Sequence, residues 1–412
     1  MRVAMVAACE FPALRGSQVL VRDLATDLEK LGHDVHLLTH SGGGRGAGVG
    51  SLPESAVPAR LTGRVRKNLK LAFDLYRVVK REKIDVIHAH NYEAPLLAYV
   101  TRWLTGVPVV YHAHNALSDE LATYVERGWM KAIARRLGRW MDRHVPRRAD
   151  FAIALTGELE RFLLSCGVEP DRVSIVPPSF EERGRARLKA GDDRDRFVVA
   201  YAGNLDAYQD LGVLFQGFVH FRSKVQNAIL VIITHESDWR RRAGWLLEEL
   251  VAQKSARVAV LSGFADASEE MHRADVLVCP RSSWSGYPIK LLNYRAAGRP
   301  IVAAAGSAKG ICDGVDGLVF RNGDSRHLAE QLDRLYESVD LRERLAACAL
   351  ERLRKNHDPQ KIASEIERIH ARLGSRRSSR GFKSSSQGRG PLRRILASIE
   401  RRMVCGFLSE DD

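Results

Sequence analysis

PRSSWSGYPIKLLNYRAAGRP, residues 280–300, is the stretch on which the fold turns. The apolar run Ala274 to Cys279 before it reads as a buried strand. From Pro288 to Ala297 the apolar residues fall at helical spacing, with Ile289, Leu292 and Ala296 on one stripe and Leu291 beside it. Pro288 suits a first helical turn, and Gly298-Arg299-Pro300 ends the helix. Ile301 to Ala305 then restarts an apolar strand. Strand, glycine-containing loop, helix and strand form the unit of an open parallel sheet, which aims helix N–H groups at an anion beyond the strand ends. Ser285 and Gly286 let backbone approach a ligand closely. Lys290 falls in the first helical turn, where the dipole disfavours a cation unless an anion lies nearby. It reads either as a surface lysine or as an anion ligand.

The rest of the chain repeats this unit. A length of 412 residues with 45% hydrophobic content suffices for two packed α/β domains. Val3 to Ala8 is a strand, Phe11 to Ser17 a loop, Val19 to Leu31 a helix closed by Gly32, and Val35 to Thr39 a second strand. A dinucleotide-binding unit would carry GxGxxG after the first strand, and RGS stands there instead. Ser41 to Ala59, rich in glycine and then proline, predicts a mobile loop. Ala149 to Leu155 and Val173 to Val176 are further strands. Ser179 to Arg196 turns abruptly charged and marks a boundary. The expected division is a first domain at 1–180, a linker at 181–196, a second domain at 197–355, a helix at 356–373 and a basic low-complexity tail at 374–412. In the second domain, single helices are expected over Trp239 to Lys254 and Arg326 to Arg354.

Six cysteines without a CxxC pair argue for a reducing compartment and against a zinc ribbon or disulfide framework. MRVAMVAA is too short for a signal peptide, and no run approaches the roughly 20 apolar residues of a membrane span. A cytoplasmic protein, peripheral at most, is expected. A net charge of +14 calls for an anionic partner, and the absence of any nucleic-acid motif leaves a nucleotide or a lipid surface. Leu61 to Lys83, Arg127 to Arg148 and Pro391 to Leu408 are basic amphipathic helices. Trp129, Ile133, Leu137 and Trp140 share one side of the second. Such faces are either solvated or laid on an anionic membrane.

DVIHAH (85–90) and PVVYHAHN (108–115) are strands ending in His-x-His, and period two puts His88 with His90 and His112 with His114. Histidine pairs at strand ends hold metals in some hydrolases. Here no carboxylate or lysine ligand stands at matching spacing, and Asn91 and Asn115 follow instead. No metal is therefore expected, and packing or substrate contact is the remaining role.

In order and spacing these segments resemble the GT-B glycosyltransferases of family 4. MRVAMVAACEFPALRGSQVLVRDLATDLEKLGHDVHLLTH is similar to the family's opening strand, glycine loop, helix and second strand. DVIHAH and PVVYHAHN resemble its acceptor-side histidine motifs, YAGNLDAYQDLGVLFQGF its phosphate-binding loop, SGYPIKLLNYRAAGRPIVAA its E-x7-E segment, and DGVDGLVF the strand after it. The resemblance covers about residues 1–372. It implies an α/β fold of two Rossmann-like parallel-sheet domains facing a cleft. It further implies retaining, metal-independent and cofactor-free transfer from a nucleotide-diphosphate sugar to a carbohydrate or lipid-linked acceptor, in cell-envelope polysaccharide or glycolipid synthesis at the inner face of the membrane. The donor would lie against Gly16, Ser17, Gly203, Asn204, Gln209, Phe264, Ser285, Gly286, Tyr287, Pro288, Ile289, Lys290, Leu291 and Asn293. The acceptor side would hold His90, Asn91 and Asn115, and His114 would face the transferred sugar. The chain departs from the family where it matters most. Asn204 and Gln209 stand in place of the phosphate-binding arginine and lysine, and Ser285 and Asn293 in place of the two glutamates. Lys290, with His114, is then the expected catalytic pair, and Arg15 is the alternative cation. The competing readings are a catalytically impaired nucleotide-sugar-binding homologue and a metal-dependent hydrolase built on the two His-x-His pairs.

Overall fold

Runs such as VAMVA (3–7) and AILVIIT (228–234) have no polar face to show to water, so they form strands covered on both sides by helices. Every residue of both runs is buried. A computed structural model describes residues 1–11, 16–45, 61–121, 128–181, 195–261 and 263–379, without the side chains of 42–45, 61–62 and 376–379. Residues of the first half form β1 (Arg2–Ala7), α1 (Gly16–Lys30), β2 (Asp34–Thr39), β3 (Gly42–Arg45), α2 (Leu61–Arg81), β4 (Val86–His90), α3 (Glu93–Thr105), β5 (Val109–Ala113), α4 (Leu117–Glu120), α5 (Gly128–His144), β6 (Phe151–Ala154), α6 (Gly157–Ser165) and β7 (Val173–Ile175). The second half continues with β8 (Phe197–Ala202), α7 (Leu211–Arg222), β9 (Ala228–Thr234), α8 (Trp239–Ala243), α9 (Trp245–Ala252), β10 (Ala256–Val260), α10 (Phe264–Arg273), β11 (Val276–Cys279), α11 (Lys290–Ala296), β12 (Ile301–Ala304), β13 (Leu318–Phe320), α12 (Ser325–Glu337), α13 (Val339–Asn356) and α14 (Pro359–Ser379).

Two sheets result, with strand orders β3-β2-β1-β4-β5-β6-β7 and β10-β9-β8-β11-β12-β13. All pairings are parallel except that of β2 with β3. In each sheet the order reverses beside its first strand, between β1 and β4 and between β8 and β11. Open α/β sheets bind ligands at such switch points, beyond the carboxyl ends of the strands. The loops that leave β8 and β11 there are those of Gly203 to Gln209 and Pro280 to Ile289.

The structure departs from the sequence reading in four places. The glycine-rich stretch after Thr39 pairs as β3 at Gly42–Arg45, and the remainder of the expected loop lies outside the described residues. The helix expected over 239–254 breaks at Gly244, whose φ of 82° no α-helix accepts. The helix expected over 326–354 breaks at Ser338, which caps α13 by accepting from Leu341 N at 3.1 Å. Finally, α14 runs past Gly374 to Ser379 and packs on the first domain. Its Ile362, Ala363, Ile366, Ile369 and Leu373 share a core with Val3, Met5 and Val86. Most of the expected linker, Arg15, and the tail from 380 onward, including Pro391 to Leu408, lie outside the described residues.

Candidate active site

A cavity of about 470 Å³ opens between the two sheets, a size that suits a small ligand. Its walls come from the start of α1, the loops after β5, β8 and β9, and the segment 281–294. Of the residues expected at the donor and catalytic positions, Gly16, Ser17, His114, Gly203, Asn204, Gln209, Phe264, Gly286, Tyr287, Pro288, Ile289, Lys290 and Asn293 all line it. Asn115, expected on the acceptor side, lines it too.

Lys290 is the first residue of α11, two positions later than the helix start read from Pro288. The preceding turn is tightened by Leu291 N donating to Pro288 O at 2.9 Å and Leu292 N to Ile289 O at 3.0 Å. That turn aims the Lys290 side chain at the loop after β8. Its ammonium donates to Tyr201 Oη at 2.7 Å and Gln209 Oε1 at 2.8 Å, and sits 4.0 Å from the Tyr201 ring centroid. Gln209 Nε2 in turn donates to Asn204 Oδ1 at 2.6 Å, and Tyr201 Oη to Asn204 O at 2.6 Å. Asn204 and Gln209 therefore act as the seat of a lysine that arrives from another loop. Gly203 makes the room: a Cβ there would lie 2.8 Å from Lys290 Nζ, and its φ of 151° suits glycine. Both hydrogen-bond partners of the ammonium are neutral, and burial pushes its pKa down to about 8. A cation so placed on the cavity wall, hydrogen-bonded to neutral oxygens, favours an incoming anion.

Ser285 is buried and does not line the cavity. Ser283 Oγ and Ser285 Oγ each donate to Asp119 Oδ2 at 2.6 Å, clasping α4 of the first domain to the second. The contact is close because Gly286, with a φ of 80°, would set a Cβ 3.0 Å from His114 O. Leu291 likewise misses the cavity. One residue on from Lys290, it points into the core beside Leu277, Cys279 and Ile301.

The two His-x-His strands build one layer. His114 lines the cavity, with Nε2 3.0 Å from His90 Nδ1, and burial pushes its pKa down to about 4, so it is neutral near pH 7. His90 lies behind it, fully buried, and Asn91 turns away at a φ of 61°; neither lines the cavity. His88 spends both nitrogens on histidines, Nδ1 with His370 Nε2 and Nε2 with His112 Nδ1, each at 3.0 Å. Nitrogens of His88, His90 and His112 lie within 4.8 Å of one another, which is the grouping a metal would need. Hydrogen bonds to other histidines already hold a nitrogen of each of the three, the His88 and His90 rings stack at 4.8 Å, and burial keeps the pKa of all three well below the usual range. The hydrolase reading gains nothing from a cluster buried behind His114, none of whose three members lines the cavity.

Reasoning from sequence did not single out Arg281, Tyr201 or Glu120. All but Tyr201 line the cavity, and Asn115 Nδ2 donates to Glu120. Arg281 stood in the opening stretch, and its type alone was a signal.

The family model described as Glycosyltransferase Family 4 matches residues 14–181, and that described as Glycosyl transferases group 1 matches 196–338. A phosphatidyl-myo-inositol mannosyltransferase of Mycobacterium leprae is 26% identical over 388 residues, covering 90% of this chain and 96% of that protein. A D-inositol 3-phosphate glycosyltransferase of a Nocardioides species is 26% identical over 294 residues, covering 66% of this chain and 63% of its own length. Among solved structures, sucrose-phosphate synthase of Thermosynechococcus elongatus superposes with a TM-score of 0.74 at 15% identity, covering 91% of this chain and 99% of that one. Anabaena Alr3699/HepE in complex with UDP-glucose gives 0.66 at 15%, covering 90% and 100%. The interdomain cavity, the paired switch-point sheets and the two consecutive family matches agree, and the chain is a divergent member of glycosyltransferase family 4.

Proposed function

We propose that this glycosyltransferase moves a sugar from a nucleotide-diphosphate donor, held by the second domain, to a polyol or lipid-linked acceptor presented by the first. The observation that carries the reading is the Lys290 ammonium, seated by Tyr201 and Gln209 on the cavity wall with no carboxylate among the described residues hydrogen-bonded to it. A diphosphate gains negative charge as the sugar leaves, and a fixed cation stabilises that charge more than it stabilises the bound donor. Lysine supplies the charge otherwise met by a divalent ion, so the reaction needs no metal and no cofactor. Names of the relatives that refer to inositol-bearing acceptors, and solved complexes of neighbours with UDP and UDP-glucose, support the choice of substrates to try first. Work at an anionic membrane surface follows from α5, whose Trp129, Ile133, Leu137 and Trp140 are more than half exposed beside Lys131, Arg135, Arg136 and Arg139. Among the described residues no helix is long and apolar enough to cross a membrane.

The test is a panel of UDP-, GDP- and ADP-sugars with EDTA present, with and without phosphatidylinositol or inositol phosphate, reading released nucleotide by mass. Acceptor-dependent release from one donor is expected. Nucleotide binding without any turnover across the panel would favour the impaired homologue, and activity abolished by EDTA would remove metal independence.

A further inference from the structure

We propose that Arg281 is a second cation of the donor site and grips the diphosphate on the side of the transferred sugar; this rests on the nucleotide-sugar reading above. Arg22, Arg281 and Lys290 bring positive charge to the cavity wall. Arg22 is held by Asp23, with N···O distances of 2.7 and 2.9 Å. Arg281 forms no ion pair among the described residues. One of its terminal nitrogens donates to Ser285 O at 2.7 Å and Ser283 Oγ at 3.2 Å, and its guanidinium lies 5.4 Å from the Tyr208 ring centroid. Its Nε is enclosed without a partner. Those contacts fix the plane of the group while leaving the other terminal nitrogen's donors uncommitted. A guanidinium fixed in this way presents the N–H groups of its other terminal nitrogen to a phosphate from a set direction, which a freely rotating lysine ammonium does not.

Its position sets which phosphate it meets. The same terminal nitrogen lies 3.6 Å from where a Cβ on Gly286 would stand, and that Cβ would also meet His114 O and Asn115. Arg281 thus flanks the cavity on the His114 side, whereas Lys290 sits over Tyr201 and Gln209. Two cations, one from the loop after β11 and one from the start of α11, replace charge that the loop after β8 does not carry. A cation added at Gln209 would crowd Lys290 at 2.8 Å, so the neutral pair Asn204 and Gln209 belongs with this arrangement.

Titration calorimetry with UDP and GDP, each beside its nucleoside, tests the assignment on the wild-type, Arg281→Gln and Arg281→Lys proteins. Arg281→Gln is expected to weaken diphosphate binding roughly 10- to 100-fold, the loss of one charge-assisted pair, while nucleoside binding holds. Arg281→Lys should restore part of the loss, since the charge returns without the fixed plane. Equal weakening of nucleoside and diphosphate would mean that Arg281 only props the 283–285 loop, and would overturn the proposal. So would unchanged diphosphate binding in Arg281→Gln. Should Arg281→Gln fail to fold, Arg281→Lys with wild-type diphosphate affinity would overturn the directed grip of the guanidinium. Wild-type protein that binds neither diphosphate would instead sink the donor reading, and Arg281 with it.

Discussion

A lysine whose ammonium touches only neutral oxygens is costly to hold charged, which is why burial brings the Lys290 pKa to about 8. Its charge is present below that pH and lost as pH rises through it. Nucleoside diphosphate affinity is therefore expected to fall above about pH 8, and Lys290→Arg should flatten the profile because guanidinium does not titrate there. Lys290→Met should lower turnover by roughly two orders of magnitude, by analogy with loss of an oxyanion donor. Wild-type turnover in that variant would show that the lysine is a bystander. The histidines divide differently. His114→Ala should lower turnover with a smaller drop in thermal midpoint than His88→Ala, since it loses one hydrogen bond, to His90, and edge contacts with the His90 and His112 rings at the cavity wall. His88→Ala should lower the thermal midpoint more and turnover less. It strands nitrogens on His112 and His370, at roughly 1–3 kcal/mol each, and opens a void in the core. A matched loss of activity in both variants at unchanged stability would contradict this division.

At the scale of the element, α5 inverts the usual amphipathic helix. The face it turns inward carries Ala134, Gly138 and Asp142, and a Cβ on Gly138 would stand 2.5 Å from the Ser118 backbone. Small residues let α4 approach, and Asp142 accepts from Leu117 N at 2.9 Å and Ser118 N at 3.0 Å. The large apolar residues are left outside, among arginines. Each basic residue near an anionic surface contributes about 1 kcal/mol and is screened by salt. Co-sedimentation with vesicles should thus require anionic lipid, weaken as salt rises, and drop sharply in a Trp129→Ser, Trp140→Ser double variant. Equal binding to neutral vesicles would count against it. Sequence periodicity marked the apolar stripe but not its direction, because an identical stripe faces inward whenever the opposite side is bulky.

Across the whole molecule, α14 carries the chain back from the second domain to the first, and His370 docks on His88 there. The crossover is pinned before it starts: His357 Nδ1 donates to Pro178 O at 2.7 Å, and Phe180 N donates to His357 O at 2.9 Å. Burial depresses the pKa of His114 and His357 to about 4 and of His370 to about 3. The unfolded chain takes up these protons near the ordinary histidine pKa of about 6.5, so it binds more protons than the fold below that point. The stabilisation they contribute is complete above about pH 6.5 and is lost as pH falls toward 4. The thermal midpoint should therefore decline steadily from pH 7 to pH 5, with several histidines titrating together. A flat midpoint over that range would show that the cluster opens to water without unfolding.

What the sequence determined by itself was local and periodic. Unbroken apolar runs gave the strands, stops such as Gly32 and Gly298 the helix ends, and period two the shared faces of His88 with His90 and of His112 with His114, because each depends on residues a few positions apart. It also located the missing charges at Asn204 and Gln209, and put Lys290 in a first turn. Tertiary structure alone decided where that lysine points, since its partner Gln209 lies 81 residues away, and why Ser285 is withdrawn, since Asp119 lies 166 residues away. It decided as well that His88 meets a histidine 282 residues downstream, and that α5 shows its tryptophans to solvent. Such contacts are fixed by how two sheets and a returning helix pack, and no window along the chain contains both partners.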